Sequence, residues 1–125
     1  MSSRPPPPQP TRERLLELVG AFADQPVLML VDLVADRFVN GIPKRISREA
    51  PVLILRWTGE SVAPGGGANA AANVRALGGR PLPVGCVGDD ESGRALLEAF
   101  SARAIETAGI FVRAGWPTPT KTRIL

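Results

Sequence analysis

The stretch Pro64-Gly65-Gly66-Gly67-Ala68-Asn69-Ala70-Ala71-Ala72-Asn73-Val74-Arg75-Ala76-Leu77 decides how this chain is read. Three consecutive glycines let a backbone approach a ligand closely, because no Cβ stands in the way. The Ala-rich run behind them is strongly helical, and Gly78-Gly79 stops it. A helix start offers unpaired N–H groups and the positive end of a dipole. Asn69 lies in the first turn, and Asn73 is four residues on, so the two amides share a face.

Upstream, Val27-Leu28-Met29-Leu30-Val31 is a short continuous apolar run, the pattern of a strand buried on both faces in a parallel sheet. Asp32 closes it and Asp36 follows. Carboxylates just past the C-terminal end of such a strand lie where open α/β sheets bind ligands. Before it, Thr11 is a helix cap, and Leu15, Leu18, Val19 and Phe22 recur at helical spacing, which predicts an amphipathic helix over 12–23. Residues 1–10 contain the run Pro5 to Pro8 and read as a disordered, polyproline-like tail. Two further strand patterns, near 37–42 and 52–58, have no helix between them. They predict a hairpin or small sheet outside the main layer.

Downstream, Leu82 to Val87 is a second buried strand, closed by Gly88-Asp89-Asp90. Asp90 or Ser92 can cap a helix whose core face is Leu96, Leu97, Phe100 and Ala104. Ile110 to Val112 is a third buried strand. Strand, helix, strand, helix, strand predicts a parallel sheet with right-handed crossovers. Residues 118–125 alternate as a strand and end without a stop signal, which reads as truncation of a longer domain.

Composition narrows the function. The hydrophobic fraction is 44%, that of a globular protein. Net charge is +3, from 15 basic and 12 acidic residues, and there is no Tyr among the few aromatics. Nucleic-acid binding needs a denser basic stripe and base-stacking aromatics, so it is not expected. The absence of His excludes a zinc site in practice. Cys86 is the single cysteine, so no intramolecular disulfide forms, and it reads as a small packed hydrophobe. No apolar run is long enough for a membrane span or a signal core, and a cytoplasmic protein is expected.

From these residues alone the glycine turn has three readings. It is a plain loop-to-helix turn, a nucleotide site, or a site for a hydroxyl-rich ligand. Gly65, Gly67 and Ala70 satisfy the loose Gly-x-Gly-x-x-Gly/Ala pattern, which is weak out of context. The dinucleotide version closes the first buried strand directly. Here the turn comes more than thirty residues later, and no Gly-Lys-Ser/Thr follows. For a polyol, Asp32 and Asp36 would add acceptors for hydroxyls.

The stretch Gly65-Gly66-Gly67-Ala68-Asn69-Ala70-Ala71, with Gly78 and Gly88, resembles the first signature of the ribokinase-like (phosphofructokinase-B type) carbohydrate kinases. Asp32-Leu33-Val34-Ala35-Asp36-Arg37-Phe38, Gly41, and Arg45-Ile46-Ser47-Arg48-Glu49-Ala50-Pro51-Val52 look like the N-terminal motif of the heptose 7-phosphate kinases, as does Pro119-Thr120-Lys121-Thr122-Arg123-Ile124-Leu125. The likeness runs from about Arg14 to Leu125.

The resemblance implies part of a Rossmann-like α/β/α sandwich, with a small β-sheet lid whose strands lie near 37–42, 52–58 and 118–125. It implies transfer of phosphate from Mg-ATP to the anomeric oxygen of a heptose 7-phosphate, for lipopolysaccharide core synthesis. By that likeness Asp36 accepts from sugar hydroxyls, Gly65 and Gly66 form the floor under the sugar, and Asn69 binds it through its amide. Asp32 matches an acid of the motif. Arg45, Lys121 and Arg123 are candidates for the phosphate already on the substrate. A homodimer through the lid is also implied.

Three positions depart from the family pattern. Val31 stands where Gly is usual, Arg48 replaces a Pro, and Gly67 replaces an Ala. The family's catalytic Asp, in a Gly-Ala-Gly-Asp motif, does not occur in this chain and is expected beyond Leu125. ATP and Mg2+ therefore belong to the full-length family member, and neither is expected to bind this chain tightly. The alternatives are a non-catalytic sugar-phosphate-binding or lid-dimerisation module and a dinucleotide-binding domain.

Overall fold

The structure, a computed structural model, describes residues 9–125. The expectation of a disordered tail thus falls, apart from Gln9 and Pro10, outside the described residues. Among the described residues three helices and six strands follow one another: α1 (Arg12–Gly20), β1 (Pro26–Leu30), β2 (Leu33–Ile46), β3 (Leu53–Gly65), α2 (Gly66–Ala76), β4 (Arg80–Gly88), α3 (Glu91–Ser101), β5 (Ile110–Arg113) and β6 (Thr120–Ile124). They form two sheets of three strands, ordered β1-β4-β5 and β3-β2-β6. The first is parallel throughout, as the alternating strand and helix patterns required. In the second, β2 runs antiparallel to β3 and parallel to β6. This is the α/β layer with a separate small sheet that the sequence predicts.

The first two strands of the small sheet are longer than the patterns suggested, and the third is shorter. β2 begins at Leu33 rather than near 37, because side chains alternate from that residue. Leu33 and Ala35 are buried, while Val34 and Asp36 point to the other face. Asp36 is therefore inside a strand, and only Asp32 sits just beyond the end of β1. β6 starts at Thr120, two residues later than expected. The β2–β3 ladder shifts register at Asn40/Gly41 and Pro43/Arg45, which accommodates a proline that cannot donate. Pro81 and Pro83 fit β4 for a similar reason. β5 pairs only with Gly85–Gly88, so the prolines have a strand on one side only.

The core lies where α2 and α3 meet the two sheets: Leu33, Ala35, Ala68, Ala71, Val87, Leu96, Phe100 and Ile105. Alanines on α2 let its backbone come close to the strands. Ala104 was expected there, but it adopts φ 52° in the turn after α3 and is exposed, and Ile105 fills the place. Cys86 is half-buried.

Three expectations of burial fail. β1 is not covered on both faces. Met29 packs against the core, while on the alternate face Leu28 and Leu30 are 74% and 86% exposed. β5 is also open, with Phe111 and Val112 exposed. α1 is capped by Thr11, whose hydroxyl accepts from the Arg14 N–H at 3.2 Å, but it ends at Gly20 and buries no residue. An apolar pattern records the capacity to be buried; among the described residues no element covers these faces.

Asp90 joins the two sheets. Its carboxylate caps α3 by accepting from the Gly93 N–H at 2.8 Å. It also accepts from the Thr118 N–H and hydroxyl, each at 2.7 Å, and the Thr118 hydroxyl accepts from the Gly88 N–H at 2.8 Å. Thr118 is buried in this knot, just before β6, and so anchors the small sheet to the end of β4. The Thr118 hydroxyl, then the Thr118 and Gly93 N–H groups, hold the Asp90 carboxyl below the ordinary carboxylate range, against a smaller effect of burial.

Candidate functional site

β3 runs into α2 with no loop between them. Gly65 ends the strand and caps the helix with no side chain of its own. The capping role passes to Asp32, in the short link between β1 and β2. The Gly67 N–H donates to Asp32 Oδ1 at 3.1 Å and to the Asp32 carbonyl at 3.0 Å. A carboxylate at a helix N-terminus is stabilised by about 0.3–1 kcal/mol when exposed. Gly66 takes φ 51°, a left-handed conformation that favours glycine.

Asp36 packs on the other glycine. A Cβ added to Gly65 would stand 2.9 Å from Asp36 Cγ and 3.0 Å from Oδ2. Asp36 is fixed on its far flank by Arg123, whose Nη1 lies 2.8 Å from Oδ1. That nitrogen is buried and makes no hydrogen bond, so the contact is an ion pair whose N–H is not aligned with the oxygen. The Arg123 guanidinium also lies 5.2 Å from the centre of the Phe38 ring.

Register explains the grouping. In the small sheet Asp36 is level with Lys121, and Phe38 with Arg123. Residues two apart on a strand share a face, so all four lie on one side. Thr120, on the opposite side, bonds Ser92 of α3 through its hydroxyl. Asp36, Phe38, Lys121 and Arg123 therefore sit on the face turned away from α3.

The structure thus brings Asp32, Asp36, Gly65, Gly66 and Arg123 together around one strand-to-helix turn, with Lys121 beside Asp36. Asn69 is exposed in the first turn of α2, as is Asn73 one turn on. Arg45 is not part of the group. It pairs with Ile54, nine residues along β2 from Asp36, or about 30 Å at ~3.3 Å per residue. Phe38 was not picked out by sequence reasoning. Alternation along β2 would have found it, had the strand been started at Leu33.

The site is an open face. A cavity of about 190 Å³, lined by Phe22, Gln25, Val27, Val74, Leu77 and Gly79, lies at the opposite end of α2 from the glycines. The dinucleotide alternative meets a geometric objection: the glycine turn closes β3, an antiparallel strand of the small sheet, not a strand of the parallel layer.

The profile of the pfkB family carbohydrate kinases matches residues 28–125. The bifunctional protein HldE of Mesorhizobium japonicum is 40% identical over 114 residues, 91% of this chain and 23% of that protein. HldE of Magnetococcus marinus is 44% identical over 105 residues, 84% of this chain and 22% of that protein. The chain spans under a quarter of the length of these curated relatives. Among solved structures, Arabidopsis thaliana ribokinase complexed with ribose and ATP aligns with a TM-score of 0.62 at 23% identity, over 82% of this chain and 32% of that one. Fructokinase with bound ATP from Xylella fastidiosa aligns with a TM-score of 0.58 at 23% identity, over 82% and 30%. These two likenesses show the fold, and the profile match shows the family. The chain belongs to the pfkB family of carbohydrate kinases.

Proposed function

We propose that this chain is the sugar-binding part of an ATP-dependent kinase that phosphorylates a heptose 7-phosphate at its anomeric oxygen. One observation carries the reading: two carboxylates, Asp32 from the link between β1 and β2 and Asp36 from within β2, converge on the Gly65–Gly67 turn, one at each glycine flank. Asp32 Oδ1 is committed to the helix start, which leaves its Oδ2 and the Asp36 carboxylate to accept from hydroxyls. Asn69, exposed in the first turn of α2 behind the glycines, offers an amide that both donates and accepts. Lys121 offers positive charge for a substrate that already carries phosphate, and Arg123, paired with Asp36, adds charge to the same face; Arg45, far along the hairpin, serves only if another molecule brings it near. The heptose is favoured by the run from Arg45 to Val52 and by the likeness to HldE proteins.

ATP and Mg2+ belong to the whole kinase in this reading. Among the described residues no three acidic, His or Cys side chains are placed to hold a metal, and no Gly-Lys-Ser/Thr loop occurs. Neither group is assigned to residues of this chain. Pairing through the lid is part of the proposal, supported by Ile42, Ile46, Leu53 and Trp57, all more than half exposed on the hairpin. No helix is long and apolar enough to cross a membrane among the described residues.

The test is binding. Heptose 7-phosphate should bind the chain, Asn69→Ala should weaken it, and nicotinamide and flavin dinucleotides should not bind. Tight dinucleotide binding with no response to the sugar would reverse the assignment.

A further inference from the structure

We propose that Arg123 is a positioning residue for Asp36, holding that carboxylate against the glycine floor, and is not itself the ligand for the substrate's phosphate. The inference rests on the sugar-site reading above and narrows it.

Three observations lead there. First, Asp36 is held from both sides. Gly65 leaves so little room that a Cβ would come within 2.9 Å of Asp36 Cγ, and Arg123 Nη1 approaches Oδ1 at 2.8 Å. Second, the guanidinium is itself fixed, 5.2 Å over the Phe38 ring, a cation–π placement that suits a planar cation. Third, Nη1 is buried although the side chain as a whole is 36% exposed. A phosphate drawn to that nitrogen would have to displace the Asp36 carboxylate. Lys121, level with Asp36 on the same face, is exposed and makes no ion pair among the described residues, so it is the better phosphate contact.

The pair also sets a division of labour. Arg123 occupies Oδ1 of Asp36. Oδ2 stays beside Gly65, where a hydroxyl resting on the glycine floor would donate to it. Without Arg123 the carboxylate is free to rotate and to take water in place of the sugar.

The experiment is an NMR titration of the chain with two probes, D-glycero-D-manno-heptose 7-phosphate and the same heptose without phosphate. Arg123→Gln should weaken both by a similar factor, roughly tenfold, the scale of one charge-assisted hydrogen bond lost or misplaced. Arg123→Lys, which keeps the charge, should recover part of the loss. In an Asp36→Asn background Arg123→Gln should add little, since the group to be positioned is already altered. Loss confined to the phosphorylated sugar would make Arg123 a phosphate ligand and overturn the inference while leaving the kinase reading intact. So would losses that simply add in the double variant. Failure of the unaltered chain to bind either sugar would instead remove the sugar reading, and the inference with it. Should Arg123→Gln fail to fold, Arg123→Lys decides by the same two-probe comparison.

Discussion

Replacing Gly65 by Ala tests the glycine floor with one methyl group. Gly65 has φ −117° and ψ 172°, extended values that any residue adopts, so the backbone accepts alanine without strain. The effect is confined to what the new Cβ meets, which is Asp36: Cγ at 2.9 Å, Oδ2 at 3.0 Å and Oδ1 at 3.3 Å. Asp36 has one short side chain and is held by Arg123, so it cannot give way without leaving that ion pair. Overpacking of this kind costs about 1–3 kcal/mol. A displaced carboxylate also forfeits its hydrogen bonds to ligand hydroxyls, about 1.5–3 kcal/mol for a charged acceptor, or roughly 10- to 100-fold in affinity. Urea unfolding and the sugar-phosphate titration measure the two effects separately. Asp36→Ala in the same chain should restore the stability lost to Gly65→Ala but not the binding. Gly20→Ala is the control, since nothing lies within 4 Å of a Cβ there; it should be neutral or slightly stabilising. Gly65→Ala with unchanged stability and unchanged binding would refute the reasoning.

Other outcomes follow from the packing and the charges. Asp90→Ala removes the cap of α3 and the acceptor for Thr118, and should cost about 2 kcal/mol or more in urea unfolding. Because the folded Asp90 carboxyl is held below its unfolded value of about 3.9, its contribution is complete above that pH and is lost as the pH falls through the lower, folded value; Asp90→Asn should flatten this acid limb. Phe100→Ala empties the largest buried side chain and should cost about 3–5 kcal/mol, whereas Phe100→Leu should cost far less. Leu30→Lys, in contrast, should leave stability within about 0.5 kcal/mol and reduce concentration-dependent association in sedimentation, because Leu30 is 86% exposed.

Much of this was legible beforehand for a physical reason. The order of strand and helix patterns points to a parallel layer with right-handed crossovers, and three glycines before an Ala-rich helix mark a close backbone approach. The grouping of Asp32 and Asp36 with the glycines was implied by the family resemblance; in the structure it depends on the pairing of Val34 with Gly65 across β2 and β3. What stayed hidden depends on pairing across the chain. That Arg123 reaches Asp36 follows from the parallel register of β2 and β6, which no local pattern encodes. The same holds for Thr118, whose burial comes from Asp90, 28 residues away. Burial of β1 was misread because an apolar run cannot reveal how many layers will be present to cover it. In the proposed reading, the faces at Leu28, Leu30 and Phe111 are where the remainder of a kinase domain packs.

The most direct measurement is a crystal structure of the chain grown with heptose 7-phosphate. The sugar ring should lie over Gly65 and Gly66, with hydroxyls within hydrogen-bond distance of Asp36 Oδ2 and the Asn69 amide, and the Arg123–Asp36 pair intact. A sugar seated instead in the cleft between Phe22 and Leu77, or found nowhere on the chain at saturating concentration, would contradict it.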